Sequence, residues 1–190
     1  VALKPNHADA HNNMGNALQA HAKLDEAITS YLQALTLKPD YAEAYNNVGV
    51  ALKKQGKLDE AIISFRRALA LKPNYADAYR NMGNALQALG KLDEAITSYR
   101  QALTLKPDNA DAFNNIGAAL QAQGKPAEAI ISYRQALKVK PNSANTHNNM
   151  GVALKTQGKL NEAITSYRHA LVLKPDHADA YLNMGNVFKA

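Results

Sequence analysis

The 190 residues are 46% hydrophobic and 20% charged, carry a net charge of +6, and include no cysteine. That is enough apolar content for a packed core, and it leaves no disulfide framework or thiol chemistry. No apolar run approaches the roughly 18 residues a membrane-spanning helix needs, and no basic run exceeds two residues, so neither a membrane nor nucleic acid is the expected partner. The basic excess is spread over lysines before the repeated prolines (Lys4, Lys38, Lys72, Lys106, Lys140, Lys174) and before the second helix of each unit (Lys23, Lys57, Lys91, Lys125, Lys159). With no signal peptide and no cysteine, the reading is cytoplasmic.

The chain is periodic. Pro5, Pro39, Pro73, Pro107, Pro141 and Pro175 stand 34 residues apart, as do Gly15, Gly49, Gly83, Gly117, Gly151 and Gly185. A fixed period of this length means stacked supersecondary units rather than a globule with one centre. Residues 1–7 read as the tail of a preceding repeat. Residues 8–41, 42–75, 76–109, 110–143 and 144–177 are five whole repeats, and 178–190 is the first helix of a sixth, expected to cap the fifth. Together 1–190 form one array, and both ends read as cut from a longer chain.

In the first repeat, Ala22 stands where the others have a turn glycine, which predicts a slightly looser unit. In the second, Ala44, Val48, Ala51 and Leu52 lie on one face of a helix from Ala42 to about Gln55, which Gly56 ends. Ala61, Ile62, Phe65, Ala68, Leu69 and Leu71 mark a second helix, stopped by Pro73. Asp40, Asn74, Asp108, Asn142 and Asp176, each after a proline, suit N-caps, and Asp40 with Glu43 resembles a capping box. Asp59 and Glu60 serve the second helix in the same way. Gly49, Ala61 and Ala68 allow close approach of helices while Tyr45, Leu52 and Phe65 fill the gaps. Met14, Met82, Met150 and Met184 share a core position with Val48 and Ile116, as gap fillers. In the fourth repeat Pro126-Ala127 replaces Leu-Asp, which a first helical turn tolerates.

Gly, Ala, aromatic, Ala and Pro at positions 8, 20, 24, 27 and 32 of the unit (Gly83, Ala95, Tyr99, Ala102 and Pro107 in the third repeat) resemble the tetratricopeptide repeat. The resemblance covers essentially the whole chain. It implies an all-α fold, a right-handed α-solenoid of helix-turn-helix 34-residue repeats whose first helices line a concave groove. The family's tryptophan position holds His11, Tyr45, Tyr79, Phe113, His147 and Tyr181 instead.

One face contradicts local preference. Asparagine is a poor helix former, by roughly 0.6 kcal/mol against alanine. Yet Asn13, Asn47, Asn81, Asn115, Asn149 and Asn183 occupy position six of every first helix. Asn12, Asn46, Asn114 and Asn148 stand beside them, with Arg80 in the third repeat, and Asn16 and Asn84 add a third amide at position nine. Repeated violation of a local rule marks a candidate site. An amide both donates and accepts, so a row of them can hold an extended peptide backbone whatever its side chains. The row resembles the asparagine ladder in the repeat domain of the O-linked N-acetylglucosamine transferases, which implies a peptide-binding groove. Replacing these residues with alanine is expected to leave folding at least as good. Asp77 and Asp111, with Asp9, Glu43 and Asp179, form an acidic edge, with Lys53, Lys54 and Lys155 opposite, favouring peptides of mixed charge.

The leading function is therefore a non-catalytic scaffold binding proteins or extended peptides. Alternatives are a substrate-recruiting arm of a larger enzyme such as a glycosyltransferase, and a scaffold that self-associates end to end through its terminal helices. A carboxylate clamp is disfavoured because Asn145 and Asn149 stand where cations are needed. No nucleophile–base motif, phosphate loop or cofactor signature is present. His7, His11 and Asp9 do not make a convincing metal site, and His21, His147, His169 and His177 read as surface or packing residues.

Overall fold

The computed structural model describes residues 7–188. Among them are eleven α-helices and no strand: α1 (His7–Ala20), α2 (Leu24–Leu37), α3 (Ala42–Lys54), α4 (Leu58–Leu71), α5 (Ala76–Ala88), α6 (Leu92–Leu105), α7 (Ala110–Ala122), α8 (Pro126–Val139), α9 (Ala144–Thr156), α10 (Leu160–Leu173) and α11 (Ala178–Phe188). The reading of 1–6 as the tail of a preceding repeat, with Lys4 and Pro5, lies outside the described residues, as do the last two residues of the capping helix. The chain divides into two compact units, Val1–Glu94 and Ala95–Ala190. In the first, α1 packs on α2, α2 on α3, α3 on α4 and α4 on α5. In the second, α7 packs on α8, α8 on α9, α9 on α10 and α10 on α11. Within each unit these helices pack against their chain neighbours, the arrangement of a helical-repeat solenoid.

The interior of each pair is built from alanines and one aromatic ring. In the first unit Ala61, Phe65 and Ala68 of α4 are fully buried, as are Ala27, Tyr31 and Ala34 of α2. In the second, Ala163, Tyr167 and Ala170 of α10 repeat the pattern. Pro126 opens α8 at its first helical position without a break, where a missing N–H costs nothing. Met14 departs from its expected core role and is 56% exposed, because no described helix lies beyond α1 to cover it. On α11, Ala180 and Val187 are buried against the preceding pair while Tyr181, Leu182 and Phe188 are exposed.

The predicted N-caps fall one residue too early. The Tyr41 N–H donates to the Lys38 carbonyl at 3.2 Å, closing a turn over Pro39 and Asp40, and α3 starts only after Tyr41. Asn109 N–H to Lys106 and His177 N–H to Lys174 repeat that turn. The true caps are the next residues: the side chains of Asn109 and Ser143 accept from the N–H groups of Ala112 and Thr146, while Tyr41 and Tyr75 cap with no side-chain bond. The Asp40–Glu43 box is therefore not formed. Glu43 instead accepts from Lys72 Nζ at 2.7 Å. Asp59 and Glu60 do not cap α4 either; they lie in its first turn, where the helix dipole favours acids.

Gly56, Gly90, Gly124 and Gly158 adopt φ between 73° and 79° at the turns. Ala22 keeps the same left-handed conformation, φ 60°, in spite of its Cβ. That conformation costs a non-glycine residue about 1 kcal/mol, so Ala22→Gly is expected to raise stability by about that much, read as a higher midpoint in chemical denaturation.

Candidate functional site

The asparagines of the first helices do not stand alone. In the first unit Asn81 Nδ2 donates to Asn46 Oδ1 at 3.0 Å, and Asn46 Nδ2 donates to Asn47 Oδ1 at 3.4 Å. Asn47 Nδ2 then donates to Asn12 Oδ1 at 3.0 Å and to Asn16 Oδ1 at 3.2 Å. In the second unit Asn183 Nδ2 donates to Asn148 Oδ1 at 3.1 Å, Asn149 Nδ2 to Asn114 Oδ1 at 3.2 Å, and Asn114 Nδ2 to Asn115 Oδ1 at 3.3 Å. The polarity is uniform: position six donates to position five of the preceding repeat. Chains of amides of one polarity reinforce each other in a partly desolvated setting.

The two asparagine positions therefore differ in accessibility. Asn12, Asn46 and Asn148 are buried, and serve as struts rather than as an open surface. Asn81, Asn115, Asn149 and Asn183 are half-buried, and Asn13 and Asn16 are exposed. An amide has two donor hydrogens and an acceptor oxygen. Asn149 and Asn183 each donate once within the unit and keep one N–H and the carbonyl oxygen, the pair a peptide group can meet. Asn47 has spent both hydrogens and one lone pair. The expectation that alanine at position six would fold at least as well is thereby corrected, because at Asn47, Asn81, Asn149 and Asn183 the substitution strips a donor from a partly or fully buried acceptor.

Position two is also more committed than its sequence suggests. In the first unit burial, reinforced by the nearby carboxylates of Asp9 and Glu43, pushes the Tyr41 hydroxyl up to about 12. Glu43 pairs with Lys72, whose hydrogen bond holds its carboxyl below the usual range, and Asp77 lies 3.6 Å from Arg80. In the second unit Asp111 is exposed. Burial, with Arg80 and Lys54 nearby, depresses the Lys53 ammonium, so those three cations share one locality. Lys38 and Lys72 also stand over the rings of Tyr41 and Tyr75, at 4.6 and 4.8 Å.

Sequence reasoning missed a tyrosine that supports the row. The buried Tyr31 hydroxyl donates to Asn16 Oδ1 at 2.9 Å. The signal was present: in the second repeat position nine is Val50, not asparagine, and the matching ring is Phe65. The fifth repeat breaks the pairing. Val152 stands at position nine, and the buried Tyr167 hydroxyl has no partner. Tyr31→Phe is expected to lower stability by about 1 kcal/mol, and Tyr167→Phe to leave it unchanged or raise it by up to as much; thermal denaturation of the two variants decides.

His147, at the family's aromatic position, bonds through Nε2 to the Pro141 carbonyl at 3.0 Å and meets the His169 ring edge-on at 5.3 Å. Burial, reinforced by His169, lowers its titration point below the ordinary 6.5 against the opposing effect of Pro141. The unfolded chain thus takes up the proton first. Stability is complete above pH 6.5 and declines as the pH falls through the lowered folded value. Denaturation midpoints measured from pH 7.5 to 5 are expected to fall, and His147→Tyr to flatten that decline.

Similarity to known proteins follows the same lines. The TPR repeat model matches residues 23–56, 51–90, 86–124, 122–158 and 153–190. Similar solved structures include MamA (25% identity, 86% of this chain and 96% of that one, TM-score 0.78) and YrrB, a TPR protein with an unusual peptide-binding site (25%, 93% and 92%, 0.74). PilF of Pseudomonas aeruginosa shares the fold at 22% identity over 96% of this chain and 84% of its own (TM-score 0.85). No curated protein matches the sequence. With the repeat model matching nearly end to end and the paired helices packing neighbour on neighbour, this chain belongs to the TPR repeat family.

Proposed function

We propose that the chain is a non-catalytic scaffold that binds proteins through extended peptide segments, held on the asparagine-bearing face of its first helices. One observation carries this reading. Asn149 and Asn183 each keep a donor and an acceptor after making their inter-repeat bond, so the face presents backbone-like amides at a fixed spacing. A ligand backbone meets them with its own N–H and C=O, giving grip with little sequence preference. The resemblance to the asparagine ladder of the O-linked N-acetylglucosamine transferases supports the same reading, as does the peptide-binding site of YrrB. The cations Lys53, Lys54 and Arg80 favour a ligand with carboxylates near that end, and the exposed Asp111 a ligand with a basic residue.

The test is a peptide array probed with the parent chain and with a variant carrying alanine at Asn47, Asn81, Asn115 and Asn149, at a temperature where circular dichroism shows both folded. Broad loss of the peptides that the parent retains is the expected result. Retention of the same peptides by the variant contradicts the reading.

A further inference from the structure

The repeats are so alike that a departure from the common residue is informative, and three departures meet at one place. At position five the other whole repeats have Asn12, Asn46, Asn114 and Asn148, and the third has Arg80. At position twelve the first, third and fourth repeats have Gln19, Gln87 and Gln121, and the second has Lys53. At position thirteen they have Ala20, Ala88 and Ala122, and the second has Lys54. Lys53 and Lys54 lie in the last turn of α3, and Arg80 lies within α5. The two helices touch across the repeat boundary, where Asn81, next to Arg80, donates to Asn46 of α3. Lys53 is half-buried, and its ammonium is depressed first by that burial and then by Arg80 and Lys54.

The helix dipole favours a lysine in a last turn, which accounts for Lys53 and Lys54 taken singly. It does not account for Arg80, which sits inside its helix and displaces an amide of the row. Asp77, 3.6 Å from Arg80, offsets at most one of the three charges. Among the described residues no ion pair engages Lys53 or Lys54. At least two positive charges are therefore left together at the asparagine row. The fifth repeat supplies an internal control. Lys155 also holds position twelve, but Thr156 follows it and Leu182 holds position five of the next repeat, so no cluster forms.

We propose that Lys53, Lys54 and Arg80 receive a phosphorylated serine or threonine of the bound peptide, an inference that rests on the reading of the asparagine-bearing face as the peptide site. A carboxylate brings one charge and two oxygens. A phosphomonoester brings nearly two charges at neutral pH and three strong acceptor oxygens. The guanidinium fork meets two of those oxygens side by side, and the ammonium groups act as point charges on the third. Both the charge and the number of donors thus suit phosphate better than carboxylate. Asn81, one residue on from Arg80, belongs to the row that holds the peptide backbone, which places the phosphate on a peptide side chain rather than on a free anion.

The experiment titrates the full chain, in phosphate-free buffer at pH 7.5, with the capped heptapeptide Gly-Ala-Gly-phosphoserine-Gly-Ala-Gly and follows backbone amide NMR shifts. Saturating shifts at Lys53, Lys54 and Arg80 are expected, with none at Lys155. The same peptide with glutamate in place of phosphoserine is expected to bind at least ten-fold more weakly. Arg80→Asn and Lys53→Gln install the residues that other repeats carry at those positions, so both variants keep the fold, and each is expected to weaken phosphopeptide binding at least ten-fold. Absence of shifts, equal binding of the glutamate peptide, equal shifts at Lys155, or undiminished binding by both variants overturns the proposal. Binding of inorganic phosphate as tight as that of the phosphopeptide assigns the site to a free anion and overturns the peptide source. The peptide array reads the asparagines and this titration reads the cations. Loss of array peptides from the alanine variant with no preference for phosphoserine overturns only the present proposal. Preference for phosphoserine with array peptides retained by the alanine variant overturns only the reading of the asparagines.

Discussion

Gly49→Ala is expected to lower stability by about 3 kcal/mol, whereas Gly185→Ala at the equivalent repeat position leaves it unchanged or raises it by up to about 1 kcal/mol. A Cβ on Gly49 would stand 2.6 Å from Phe65 Cε1, 2.8 Å from Cδ1 and 2.9 Å from Cζ. These are three atoms of one rigid ring, and Phe65 is fully buried, so the ring has nowhere to retreat. Relief requires α3 and α4 to part, which loosens the alanine contacts along the whole pair. Gly15, Gly117 and Gly151 face Tyr31, Tyr133 and Tyr167 at 2.4 to 2.6 Å and share the constraint. Nothing lies within 4 Å of the Cβ direction at Gly185, so alanine there brings only its better helix propensity. Urea denaturation followed by circular dichroism separates the two; equal stability of Gly49→Ala and its parent would contradict the close-approach account.

Asn81→Ala is expected to lower stability by about 1–2 kcal/mol, although alanine is the better helix former. Two effects compete. Propensity favours alanine by up to about 0.7 kcal/mol. Against that, Asn46 Oδ1 loses its donor, in a residue only 6% exposed, and a buried acceptor left bare costs about 1–3 kcal/mol. The second effect wins. Asn47→Ala should cost at least as much, because both Asn12 and Asn16 lose a donor. The same substitutions in the second unit, at Asn149 and Asn183, should cost peptide affinity as well. Thermal denaturation of Asn81→Ala beside its parent is the check, and a variant more stable than the parent would show that the amide chain contributes nothing.

The period of the sequence made the helices legible almost residue by residue, because proline, glycine and alanine recur where backbone geometry permits little else. The helix starts were misread because the residue after proline looks like a cap, whereas the Tyr41 N–H turns back to Lys38 and delays the helix. The asparagine positions were legible as unusual, but their partners were not. Asn12 and Asn47 are far apart in sequence, and the bond between them exists only once one repeat packs on the next. Position five therefore looked like part of an open surface although Asn12, Asn46 and Asn148 are buried.

The most direct test of the proposed function alters the ligand rather than the protein. A peptide retained by the parent chain is remade with its backbone N–H groups methylated across the bound segment, and separately with its side chains in scrambled order. If the asparagines read the backbone, methylation lowers affinity at least ten-fold while scrambling changes it by less than about three-fold, because the amides lose their hydrogen-bonding partner in the first case only. Retained affinity of the methylated peptide, with loss on scrambling, would show that side chains are read instead and would contradict the account.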